Sequence, residues 1–309
     1  MVGGTVVVTG ATSGIGLELT RQLGARGARV IGVGRSPERV AEAVAALDGE
    51  RPTASPEFLV ADLASQRQVR RLAAEILARA PQVDVLINNA AEVPHWYQST
   101  EDGYERQFAV NHLAPFLLTH ELTPALGAAE AARVVTVSSG SHRGARIYWS
   151  DVMLRHRYQP LRAYRQSKLA NILFSCELNR RRAAGPRVAA FVADPGLVNT
   201  AIGSKGSNRL MRWIWENRRR RGIAAETAAA DVAFVALDPA VRLSNGIYWK
   251  DRRPVRPSRD AERPDEAARL WELSERLCGL TFGPKVAAAV AVVAAEADGQ
   301  DLAYIPKMA

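Results

Sequence analysis

Apolar, mostly β-branched runs recur along the chain as TVVVT, RVIGV, EFLV, VDVLI, RVVTV, RVAAFV and GIYW, and most are separated by stretches with helical periodicity. One such stretch runs from Gln68 to Arg79, with Val69, Leu72, Ala73 and Ile76 on one face. Strands that are apolar at nearly every position are buried on both faces, and alternation with helices makes them parallel. The pattern predicts a single α/β domain over residues 1–280, a doubly wound parallel sheet of about seven strands with helices on both faces. No internal repeat or low-complexity linker divides it. Ligands of such sheets bind beyond the carboxyl ends of the strands, so the residues that follow each run are where chemistry is expected.

The segment AYRQSKLANILFSCELNRRR places Leu169, Ile172, Leu173 and Cys176 at i, i+3, i+4 and i+7, which predicts an amphipathic helix. Tyr164 and Lys168 lie one turn apart on it, so a phenol and an ammonium project to the same side. A neighbouring cation favours phenolate and lowers a pKa that otherwise sits near ~10. Tyr164 is therefore a candidate proton donor and acceptor at neutral pH.

The first run leads through Thr9-Gly10-Ala11-Thr12-Ser13-Gly14-Ile15-Gly16 into a helical segment. Glycines at a strand-to-helix turn let the backbone approach a pyrophosphate, and the helix start supplies free N–H groups. Gly10, Thr12, Ser13, Gly14, Ile15 and Gly16 are thus candidate dinucleotide contacts in a Rossmann-type sheet. The second run ends at Arg35, with Arg39 one turn on. An arginine there pairs with a ribose 2′-phosphate where an acidic residue would hold the 2′-hydroxyl, so NADP(H) is expected over NAD(H). Asp62 and Leu63 follow the third run; Asp62 is suited to accept from an adenine amino group or to cap a helix beginning near Ser65. Asn88, Asn89 and Ala90 follow the fourth, where small residues leave room for a bound cofactor. Asn111 stands among apolar Phe108, Leu113, Phe116 and Leu117, where its amide must find partners. The fifth run ends at Ser138 and Ser139, suited to cap a helix or to hydrogen-bond a substrate oxygen beside Tyr164. After the sixth, Pro195, Gly196, Leu197, Val198, Asn199 and Thr200 form a sharp turn whose threonine hydroxyl is in reach of a cofactor.

With 309 residues, 47% of them hydrophobic, the chain is long enough for a substantial core. Its first strand-like run begins at Thr5, ahead of which a secretory signal has no room, and the longest apolar run of the tail, Val286 to Ala295, is about half of what a membrane span needs. Cys176 and Cys278 form no framework. The expectation is a cytoplasmic protein without a transmembrane segment. The net charge of +9 gathers in arginine groups at 180–182, 218–221 and 252–259, but no aromatic-interleaved recognition motif accompanies them, so no nucleic-acid partner is expected. The five histidines have no zinc spacing and there is no Gly-x-Ser-x-Gly elbow, so no metal is implied.

TGATSGIG, NNAA, Asn111, Ser139, the Tyr-x-x-x-Lys pair and PGLVNT follow one another in the order of the short-chain dehydrogenase/reductase family, which the chain resembles from about residue 5 to 280. AYRQSKLANILFSCEL, VSSGSHRG and LWELSERL resemble its retinol dehydrogenase and WW-domain oxidoreductase branch. The tail at 281–309 lies outside the likeness. The resemblance implies that Tyr164 is the acid/base and that Lys168 binds the nicotinamide ribose and tunes the tyrosine. It implies that Ser139, rather than Ser138, polarises the carbonyl, and that Asn111 holds a water in a proton relay. Asp194 stands where the branch often carries histidine. Specificity is expected from an insertion near 140–163 and a lid near 201–222, where Tyr148, Trp149 and Trp213, with Trp96 nearby, suit a bulky hydrophobic or polycyclic substrate. The implied activity is NADPH-dependent reduction of its ketone or aldehyde, reversible as oxidation, and family habit implies a homo-oligomer. A cofactor-binding sensor or scaffold without turnover, and a non-redox rearrangement on the same scaffold, are the alternatives.

Overall fold

The computed structural model describes residues 3–48, 55–181, 185, 187–199 and 222–280. Thr200, Trp213, the rest of the expected lid at 201–221 and the tail at 281–309 lie outside the described residues. Seven parallel strands, β1 (Thr5–Thr9), β2 (Arg29–Gly34), β3 (Glu57–Val60), β4 (Val85–Asn88), β5 (Arg133–Val137), β6 (Ala189–Asp194) and β7 (Tyr248–Lys250), coincide with the seven apolar runs. An antiparallel two-residue strand, β8 (Arg253–Pro254), adds an eighth at the β7 edge. Its Arg-Pro sequence has no apolar pattern to mark it. The order is β3-β2-β1-β4-β5-β6-β7-β8, so the direction of winding reverses between β1 and β4. A crevice opens there between strand ends that lead to opposite faces.

Alternate residues of each strand feed two cores. Val7, Ile31, Leu86 and Val134 face one layer, built by α3 (Gln66–Arg79), α5 (Ala114–Glu121), α7 (Pro160–Arg181) and a C-terminal helix, α10 (Pro264–Cys278). Val6, Val8, Val85 and Val135 face the other, formed by α1 (Gly14–Ala25) and α8 (Ala225–Leu237). Between β3 and β4, Ser65 caps α3 by accepting from Gln68 N, while Asp62 makes a tighter turn by accepting from Ala64 N at 3.0 Å. The cap expected of Asp62 therefore belongs to the serine three residues on, whose hydroxyl lies nearer the open N–H groups. α10 closes the first layer with Trp271, which stacks on Phe174 at 6.1 Å and meets Phe116 edge-on at 5.0 Å. Among the described residues no helix is long and apolar enough to cross a membrane.

Candidate active site

The Thr9 hydroxyl, buried at the end of an otherwise apolar strand, accepts from the N–H groups of Asn89 and Ala90 at 3.0 and 3.1 Å. Asn89 Nδ2 donates back to Thr9 O at 2.8 Å. These bonds fasten β1 to β4 at the crevice, and the glycines fit beneath them. A Cβ on Gly16 would fall 2.0 Å from Gly10 O and 2.7 Å from Asn89 Nδ2, and Gly10 itself has φ +69°. Only a residue without a side chain closes this turn. α1 then starts at Gly14 with no side-chain cap from Ser13 and no acidic residue in its first turn. Its first N–H groups and positive dipole end are thus left for a ligand.

A cavity of about 830 Å³ runs along the strand ends. Gly10, Ser13, Gly14, Ile15, Gly16, Arg35, Asp62, Leu63, Asn89, Ala90, Pro195, Gly196 and Val198 line it, as the sequence predicts of cofactor contacts. Thr12 does not; its methyl lies where a Cβ on Gly34 would stand, 2.5 Å away, so it packs the glycine turn onto β2. Ser139, Tyr164 and Lys168 line the same cavity.

These three groups are fixed from behind. Ser138 and Ser139 both line the cavity, but Ser138 Oγ donates to Lys168 O at 2.8 Å, which engages that hydroxyl and ties β5 to α7. Ser139 Oγ accepts from Ser141 N at 3.2 Å, and its carbonyl accepts from His142 Nδ1 at 2.8 Å. His142 Nε2 in turn accepts from Ser258 N at 3.1 Å, which assigns the proton to Nδ1. Lys168 is buried, donates to Val137 O at 2.9 Å, and lies 5.5 Å from the centre of the Tyr164 ring.

The electrostatics differ from the simple pairing that helical spacing suggests. Burial pushes the Tyr164 phenol up to about 12; a side-chain hydrogen bond with Ser139 opposes this and the Asp194 carboxylate adds to it. Burial also brings Lys168 down to about 8, against the pull of Asp194. At neutral pH the phenol keeps its proton and can donate it. Asp194 itself accepts from Tyr248 Oη and from Gly196 N, so this replacement for histidine holds the β6 turn in shape.

Asn111 sits in a π-helical turn, Ala109–Leu113, that carries its amide inward. Oδ1 accepts from Glu92 N at 2.8 Å, and Nδ2 donates to Glu92 O and to Ser167 Oγ, both at 3.1 Å. The side chain therefore clasps the loop after β4 to α7 and does not line the cavity.

Of the expected substrate aromatics, Trp96 lines the cavity mouth and is 55% exposed. Tyr148 and Trp149 do not line it. Tyr148 lies under the guanidinium groups of Arg146 and Arg162, and Trp149 Nε1 donates to Glu266 on α10 at 2.9 Å with Arg269 over its ring. Their partners fasten the insertion to the body, and that correction is testable. Trp149→Phe should cost about 1 kcal/mol through the lost hydrogen bond, seen as a lower melting temperature, with KM for a carbonyl substrate unchanged. A raised KM at unchanged stability would return Trp149 to the substrate site. Several lining residues carry no sequence motif: Val93, Pro94 and Leu161, with Leu197 of the PGLVNT turn, add apolar lining, and Glu92 and Arg106 form a charged cluster beside Arg35. Leu161 was recoverable, one turn before Tyr164 on the same helix; the cluster was not.

A doubly wound sheet with a glycine turn at its switch point, facing a serine, tyrosine and lysine, defines a pyridine-nucleotide oxidoreductase acting on CH–OH and C=O groups. The chain belongs to the short chain dehydrogenase family, whose model matches residues 4–210. It is 36% identical over 289 residues to human (Homo sapiens) retinol dehydrogenase 13, covering 90% of this chain and 85% of that protein. The identity to the WW domain-containing oxidoreductase of Danio rerio is also 36%, over 280 residues, 88% of this chain and 68% of the relative. Among solved structures, an uncharacterized protein from Mycobacterium paratuberculosis superposes with TM-score 0.72 at 35% identity, over 91% of this chain and 96% of its own.

Proposed function

We propose that this chain uses NADPH to reduce an aldehyde or ketone on a bulky hydrophobic molecule, and runs the alcohol oxidation in reverse. The observation that carries the reading is that Ser139, Tyr164 and Lys168 line the same cavity as the uncapped start of α1. The residues present fit a pyridine dinucleotide: a turn too tight for any Cβ, free N–H groups at a helix start, and Arg35 just after β2 with Arg39 in the helix that follows. Arg35 and Arg39 support a 2′-phosphate and hence NADP(H) over NAD(H). When bound, the nicotinamide supplies the hydride.

Ser139 Oγ donates to the carbonyl oxygen and polarises it. Tyr164 Oη gives its proton to that oxygen as negative charge develops there. Lys168 stabilises the phenolate left behind and holds the nicotinamide ribose. Asn111 is a positioning residue that sets α7 against the loop after β4 through Ser167. The apolar wall of Val93, Pro94, Trp96, Leu161 and Leu197 favours a hydrophobic substrate, as the relatives named for retinol do. Free thiols at Cys176 and Cys278 support a reducing, cytoplasmic setting.

The test is a panel of hydrophobic aldehydes and ketones, with NADPH consumption as the readout. Reduction needs the Tyr164 proton and the Lys168 charge, both present at neutral pH. Its kcat/KM should hold through neutrality and fall as pH rises past about 8, where Lys168 deprotonates. Oxidation starts from the phenolate beside the same charged Lys168, so it should rise with pH up to about 8 and level off above it. Failure to turn over any carbonyl would replace this reading with a cofactor-binding role without chemistry.

A further inference from the structure

The two cations beside the nucleotide end of the cavity are not equally free. Arg35 Nη1 lies 2.8 Å from Glu92 Oε1, an ion pair that joins the end of β2 to the loop after β4 across the groove. Arg106 holds the same carboxylate with two bonds, Nε to Oε2 at 2.8 Å and Nη2 to Oε1 at 3.1 Å, and lies 3.7 Å from Asp62. Two arginines and two carboxylates thus cancel in charge. Arg39, also on the cavity wall, forms no ion pair among the described residues.

We propose that Glu92 is a cofactor-selectivity residue: its carboxylate occupies Arg35, and the 2′-phosphate of NADPH must take Arg35 from it. This rests on the NADP(H) reading above. The geometry says which partner moves. Glu92 is pinned at its backbone by both ends of the Asn111 amide and at its side chain by Arg106. Arg35 has a single contact with it and is half exposed, so Arg35 is the one released. NADH brings no anion to this place and does not compete. The internal carboxylate therefore lowers the preference for NADPH that two free arginines would otherwise create, both by holding Arg35 and by repelling the phosphate.

The test is equilibrium binding of NADPH and NADH to the full chain, by calorimetry, in wild type, Glu92→Gln, Glu92→Asp and the double variant Arg35→Ala/Glu92→Gln. Glu92→Gln keeps the backbone clasp and a hydrogen-bond acceptor for Arg106 while removing the charge. Releasing a half-exposed ion pair is worth about a fivefold change in affinity. NADPH should therefore bind Glu92→Gln about fivefold more tightly, with NADH little altered. Glu92→Asp, one methylene shorter, should shift selectivity the same way by less, and adding Arg35→Ala should erase the gain. A Glu92→Gln protein with unchanged NADPH/NADH selectivity overturns the proposal and leaves the cofactor reading standing. Lost selectivity overturns it too, since Glu92 would then be orienting Arg35 for the phosphate. Wild-type protein that binds neither dinucleotide overturns this proposal and the cofactor reading together.

Discussion

Tyr164→Phe is expected to lower the rate of carbonyl reduction by about 10²- to 10⁴-fold, the range of a single general acid, while NADPH binds as it does to wild type. The substitution keeps the ring that packs beside Lys168 and removes only the hydroxyl, which among the described residues meets the Ser139 side chain. Folding should be nearly unaffected, so the effect falls on the chemical step. The site makes the prediction sharp because no second acid is in place among the described residues. Ser139 is a hydroxyl of ordinary type, Lys168 is directed at Val137 O, and His142 is occupied by Ser139 O and Ser258 N. Turnover within a fewfold of wild type would remove Tyr164 from the mechanism.

Gly16→Ala should weaken dinucleotide binding of either kind by roughly a hundredfold. The added Cβ meets Gly10 O at 2.0 Å and Asn89 Nδ2 at 2.7 Å, and Asn89 Nδ2 is held by donating to Thr9 O at 2.8 Å and to Gly10 O at 3.5 Å. Backbone cannot yield as the end of a flexible side chain would, so the turn must open and carry the start of α1 away from the strand ends. Losing pyrophosphate contacts worth about 3 kcal/mol corresponds to roughly a hundredfold in Kd. NADPH and NADH should suffer alike, unlike the selective effect expected at Glu92. A thermal melt distinguishes this local failure from global unfolding. Wild-type affinity in a folded Gly16→Ala protein would mean that the ligand does not use this turn.

The features legible in the sequence are those set by neighbours along the chain. Apolar runs mark β1 to β7 because burial on both faces demands them, and Gly10 and Gly16 stand out because their turn excludes Cβ atoms. Tyr164 and Lys168 share a side because a helix turns once in about four residues. Features set by distant partners were hidden. Tyr148 and Trp149 read equally well as a substrate wall or as an anchor until Arg162, Glu266 and Arg269 are placed against them. The Arg35 and Glu92 pair joins residues far apart in the chain. The direction of the Tyr164 shift depends on how deeply the phenol lies, with Ser139 and Asp194 beside it, which spacing alone does not carry.

The central claim is that hydride from a nicotinamide and a proton from Tyr164 meet on one carbonyl in this cavity. Reduction of a hydrophobic aldehyde or ketone with NADPH carrying deuterium at both C4 positions, followed by mass analysis of the product, tests it most directly. The account predicts an alcohol with one deuterium bound to the former carbonyl carbon; a reduced product with no deuterium on carbon would contradict it.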